Sequence, residues 1–116
     1  MTGLSVHHKY FMYMRATDMR KGFDGLSGLI KGELDKDPMD GSVYIFINKR
    51  RDRMKLLVWE PGGFMLYYKR LESGTFDLPG VCEHGEIEIN WETLMLIING
   101  IRIEKIKRKK RYKKAG

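Results

Sequence analysis

An α+β fold is expected for this chain: a single domain in which a small antiparallel sheet of about four to six strands is packed by one long helix and a shorter C-terminal helix, with a basic tail behind. Three observations lead there. Short apolar runs rich in aromatic and β-branched residues recur after turn formers, as strands do. One stretch, residues 19–34, carries apolar residues at every third or fourth position, as a helix does. The 116 residues, 42% of them hydrophobic, suffice for one core and hardly for two.

Taken in order, Tyr10-Phe11-Met12-Tyr13-Met14 is an aromatic-rich run that ends in Arg15 and reads as a buried first strand. Thr17 or Asp18 then offers a side-chain oxygen to cap a helix in which Met19, Phe23, Leu26, Ile30 and Leu34 form one apolar stripe. Gly22, Gly25, Gly28 and Gly32 interrupt it, each at a cost of roughly 0.5–1 kcal/mol relative to Ala. The expected compensation is a smooth surface that lets the helix backbone approach the sheet. A phosphate-cradling loop is not expected, because neither a Walker sequence nor G-x-G-x-x-G is present.

Residues 35–41 end the helix with turn formers, and their acidic spacing does not fit a calcium loop. Residues 43–47 and 56–59 are continuous apolar stretches around Asn48-Lys49-Arg50-Arg51-Asp52-Arg53, which makes a hairpin with a basic loop. Glu60-Pro61-Gly62-Gly63 turns the chain into a third strand beginning at Phe64 and running on to Glu72, and residues 75–78 are expected to return beside it. After an irregular stretch, Glu86-Ile87-Glu88-Ile89 alternates like an edge strand open to edge-to-edge pairing. Asn90 caps a last helix holding Leu94, Met95, Ile97 and Ile98, and Gly100 terminates it.

The formal charge of +7 is unevenly spread. Residues 105–116 hold eight Lys/Arg and no Asp/Glu, which leaves 14 basic against all 15 acidic residues in residues 1–104. The chain therefore divides into a near-neutral globular domain, 1–104, and a basic, disordered tail, 105–116. No apolar run approaches the roughly 18–20 residues needed to cross a bilayer, and no signal-peptide segment opens the chain. Cys82 is alone and cannot form an internal disulfide, so a cytoplasmic location is expected.

Asp18-Met19-Arg20-Lys21-Gly22-Phe23-Asp24-Gly25-Leu26, the stretch 50–59, and residues 63–76 with Lys69-Arg70-Leu71-Glu72-Ser73-Gly74-Thr75-Phe76 occur in that order. Together they resemble the small accessory protein, TnpB or Orf2, of bacterial transposons of the insertion sequence 66 family. The resemblance covers residues 10–101 and implies participation in transposition beside a separate, larger transposase. It implies no catalysis, since the family has no agreed active site. Members commonly finish soon after the last helix, so the length and charge of the tail depart from that pattern.

Two basic groups are the candidate nucleic-acid-binding residues. In the tail, Lys105, Lys107, Arg108, Lys109, Lys110, Arg111, Lys113 and Lys114 are what phosphate backbones attract, because each neutralised phosphate releases condensed counterions. If all eight engaged B-DNA, log K would fall with log salt at a slope of about −7. In the body, Lys49, Arg50, Arg51, Arg53 and Lys55 cluster on the hairpin loop, with Arg20, Lys21, Lys69 and Arg70 joining them if the helix start and sheet end lie together. Such contacts position a protein on DNA without reading its sequence.

No catalytic residue, metal site or cofactor is expected. Cys82, Glu83 and His84, with His7 and His8, lack paired metal-ligand spacing, and Cys82 lacks an orienting partner for nucleophilic work. The Asp residues lie in turns and caps, away from the strand ends that two-metal cleavage of DNA requires. Trp59, Trp91, Tyr67 and Tyr68 read as core or half-buried sheet residues and not as base-stacking platforms. The function that follows is a non-catalytic transposition accessory protein whose partners are the transposase of the same element and DNA. It has no membrane or small-molecule partner, and an oligomer is compatible with it. The alternatives are a small RelE-like endoribonuclease toxin, or a protein adaptor without DNA affinity.

Overall fold

The computed structural model describes residues 3–79 and 85–100. The tail and the Cys82-Glu83-His84 stretch lie outside the described residues. The chain runs β1 (Tyr10–Tyr13), α1 (Phe23–Gly32), β2 (Val43–Ile47), β3 (Arg53–Glu60), β4 (Gly63–Arg70), β5 (Glu86–Ile89) and α2 (Trp91–Ile98). The strands form one five-stranded sheet in the order β4-β3-β2-β1-β5.

Every neighbouring pair is antiparallel except β1 and β2, which run parallel with Tyr10 opposite Val43 and Met12 opposite Ile45. The sheet is therefore mixed, where an antiparallel one was expected. The cause is α1: a helix between two adjacent strands carries the chain back to the end at which it started, so the second strand repeats the direction of the first.

Strand alternation sends side chains to two separate apolar layers. Tyr10, Met12, Val43, Ile45, Ile47, Met54, Leu56 and Val58 face α2, where Leu94, Ile97 and Phe76 complete the cluster. Tyr13, Tyr44, Phe46 and Leu57 face α1 and pack with Leu26, Ile30 and Leu34. Because both faces are covered, all five residues of β2 are buried, and its sequence is a continuous apolar run with no polar alternation.

Three expectations change. The first helix begins at Phe23 and not near Met19; Gly22 is its N-cap, in extended conformation and without a side-chain cap. Asp18 instead closes a tight turn, its Oδ1 accepting from the Arg20 backbone N–H at 2.9 Å. Met19 stays in the connection and Phe23 is exposed, so the buried stripe contracts to Leu26, Ile30 and Leu34.

The glycines do not bring the helix closer to the sheet. A Cβ at Gly28 or Gly32 would meet nothing within 4 Å, and the nearest atoms to one at Gly25 belong to the Lys21 side chain. Residues 75–78 form no strand; they cross the α2 face irregularly and bury Phe76 there. The turn between β3 and β4 is as expected, with Pro61 followed by Gly62 at φ +94°, a left-handed position that favours glycine. Asn90 caps α2 as expected, accepting from Thr93 N–H at 2.8 Å. No described helix is long and apolar enough to cross a membrane.

Candidate nucleic-acid interface

The loop between β2 and β3 is built around one side chain. Asn48 Oδ1 accepts from the backbone N–H groups of Asp52 and Arg53, each at 3.0 Å, and its Nδ2 donates to Asp52 Oδ1 at 2.7 Å. The loop closes tightly enough that Arg51 adopts φ +60°, a conformation that costs a non-glycine residue roughly 1–2 kcal/mol. Two further bonds tie the loop to the chain beyond β4: Leu71 N–H donates to Asp52 C=O at 2.8 Å, and Phe76 N–H to Arg51 C=O at 2.7 Å. Lys49, Arg50 and Arg51 thus project into solvent from a braced loop.

Across from it lies the connection that leads into α1. Thr17 is buried and its N–H donates to Ile47 C=O at 2.9 Å, which fixes this segment to the end of β2. Asp18 and Arg20 face solvent in a bidentate pair, with Arg20 Nη2 2.6 Å from Asp18 Oδ2 and Nε bridging both oxygens. Hydrogen bonds from the Arg20 side chain, then from its backbone, hold the Asp18 carboxyl down to about 2. The two segments enclose an open groove of about 440 Å³, floored at one side by Arg53 and Tyr68.

The five loop cations named from the sequence divide in two. Lys49, Arg50, Arg51 and Arg53 form no ion pair among the described residues, whereas Arg15, Arg20, Lys36 and Arg70 each have a carboxylate within 4.0 Å. Lys55 is different: it is buried, and its Nζ donates to the backbone C=O of Met19 at 2.7 Å and of Lys21 at 2.8 Å. Those two carbonyls are consequently engaged by a side chain just where the helix was expected to begin. Alternation explains the inward turn, because Lys55 shares a face with Leu57, the α1 face of β3.

Of the neighbours foreseen as additions, Arg20 lines the groove. Lys69 points to the opposite face and donates to Ile98 C=O at 2.7 Å, at the end of α2, while Arg70 pairs with Glu72 at 3.0 Å. The aromatics also divide. Trp59, Trp91 and Tyr67 are half-buried, as expected, but Tyr68 is 51% exposed. Its hydroxyl accepts from Arg53 Nη1 at 3.3 Å, and Lys55 Nζ sits 4.8 Å from its ring centre.

No signal in the sequence separated Tyr68 from Tyr67 beyond their opposite faces on an edge strand. Among the described residues no cluster of His, Cys, Asp and Glu has the arrangement of a metal site. The tail cations Lys105 to Lys114 and Cys82 fall outside the described residues.

A model of the IS66 Orf2 like protein family matches residues 8–108, reaching beyond the body into the first tail cations. The chain is similar to the uncharacterized protein y4jC of Sinorhizobium fredii, at 33% identity over 94% of this chain and 92% of that protein. It is also similar to the uncharacterized protein y4hO of the same organism, at 35% identity over 73% of each chain. No solved structure matches it. The chain belongs to the IS66 Orf2-like proteins, and with that membership comes an accessory role associated with transposition, in a family that is not known for any enzyme activity.

Proposed function

We propose that this protein is a non-catalytic assembly factor in the transposition of its insertion sequence, holding DNA against the groove between residues 17–20 and the β2–β3 loop while its body meets the transposase of the same element. The observation that carries this reading is the group Lys49, Arg50, Arg51 and Arg53, four cations brought together on one short loop and strand start with no carboxylate partner among the described residues. Residues 1–104 are nearly neutral as a whole, so this is a local concentration of positive charge on a braced support. Phosphates drawn there release counterions, which supplies affinity without sequence reading.

Lys55 has no part in the phosphate contacts of this proposal; it holds the groove's two walls together. Lys105, Lys107, Arg108, Lys109, Lys110, Arg111, Lys113 and Lys114 add a second, less positioned source of attraction. Purified protein, transposase and transposon-end DNA mixed in pairs and together test the scheme. The expected result is a complex of all three that Lys49→Glu/Arg50→Glu/Arg51→Glu weakens in its DNA contact and not in its transposase contact. DNA retained equally by that variant would defeat the scheme.

A further inference from the structure

Resting on the reading of the groove as a DNA site, we propose that it takes an unpaired stretch of DNA, with one base stacked on the open face of Tyr68. Tyr68 is 51% exposed on a half-covered edge strand, yet its ring is held in place. Arg53 donates to its hydroxyl at 3.3 Å, and Lys55 Nζ lies 4.8 Å from the ring centre. Lys55 is itself fixed by the carbonyls of Met19 and Lys21. A ring held this way loses little freedom when a second ring settles on it, which lowers the cost of binding.

The cation on one side also draws electron density from the ring. The other side then suits an electron-rich nucleobase better than it suits a further cation.

Geometry distinguishes the strand from the duplex. Paired bases present their edges in the grooves and keep their faces stacked on each other, so a duplex gives Tyr68 nothing to stack on. An unpaired base offers its face, and an aromatic side chain accepts any base in this way. The groove's volume of about 440 Å³ is that of a small-ligand cleft, room enough for a nucleotide with its phosphates on Arg50 and Arg53.

Fluorescence anisotropy of the full chain in low salt tests this with a duplex, a single strand of equal length and the same strand carrying abasic positions. The wild type should prefer the intact strand to the abasic one by about 5- to 150-fold, the range of one base–aromatic stack. Tyr68→Ala should remove that preference, and Tyr68→Phe should keep it. Equal binding of intact and abasic strands by the wild type, which needs no variant to fold, overturns the stacking inference while leaving the groove a phosphate site. Failure of the wild type to bind any of the probes overturns the DNA reading itself, and the stacking with it.

Discussion

Lys49 and Lys55 belong to one basic run in the chain, but they do different work. Lys49 stands in solvent with no carboxylate partner among the described residues, and Lys55 is buried with its Nζ on two backbone carbonyls. Replacing Lys55 with Met keeps much of the aliphatic stem and leaves both carbonyls without that donor. The change should destabilise the fold by about 1–3 kcal/mol, the usual cost of stranding buried polar groups, read as a lower midpoint in urea denaturation.

That distinction was partly legible, because a lysine two residues into β3 shares a face with Leu57. It was missed by treating the basic run as loop throughout.

Asp18 gives a second prediction at this scale. Its carboxyl is held near 2, against an ordinary value of 3.8, first by the side-chain hydrogen bond from Arg20. A carboxyl depressed in the folded state contributes stability that is present above its ordinary value and lost as pH falls towards 2. An NMR titration should place Asp18 well below the ordinary 3.8, and Arg20→Gln should return it towards that value. Because both side chains are exposed, the accompanying change in stability should be small.

The elements themselves were largely readable. Apolar runs marked β1 to β4, alternating charge marked β5, and Asn90 marked the start of α2. Strand direction was not readable, since a run of apolar residues is the same in either direction; only the helix between β1 and β2 carried that information. The start of α1 was misplaced because a stripe can be continued on paper through Met19, while in space the carbonyls of Met19 and Lys21 are bound by a lysine from another strand.

The β2–β3 loop yields the most informative variant at this scale. Arg51 is held at φ +60°, so Arg51→Gly removes local strain and also removes a charge. Two effects of opposite sign should appear together: thermal stability unchanged or raised by up to about 1 kcal/mol, and DNA affinity reduced. Loss of stability instead would mean that the Arg51 side chain holds the loop by contacts of its own.

Over the whole molecule, the sheet has an apolar layer on each face, and the cations Lys49, Arg50, Arg51 and Arg53 gather at one corner, where the connection into α1 meets the β2–β3 loop. The near-neutral body and the cationic tail were evident from composition, and the loop from its run of Lys and Arg. The groove was not, because it arises where residues 17–20 come against residues 48–53, two segments some thirty positions apart in sequence.

Everything at this scale turns on whether Lys49, Arg50, Arg51 and Arg53 engage phosphates, and the salt dependence of DNA affinity reads that out. The full chain and a variant with all four changed to Ala would be titrated with the same DNA over a series of salt concentrations. The log–log slope should be shallower by about 3 to 4 in the variant, from about 0.7–0.9 for each phosphate that is no longer neutralised. An unchanged slope in a folded variant would contradict the phosphate role of these four residues, leaving the tail to account for whatever binding remains.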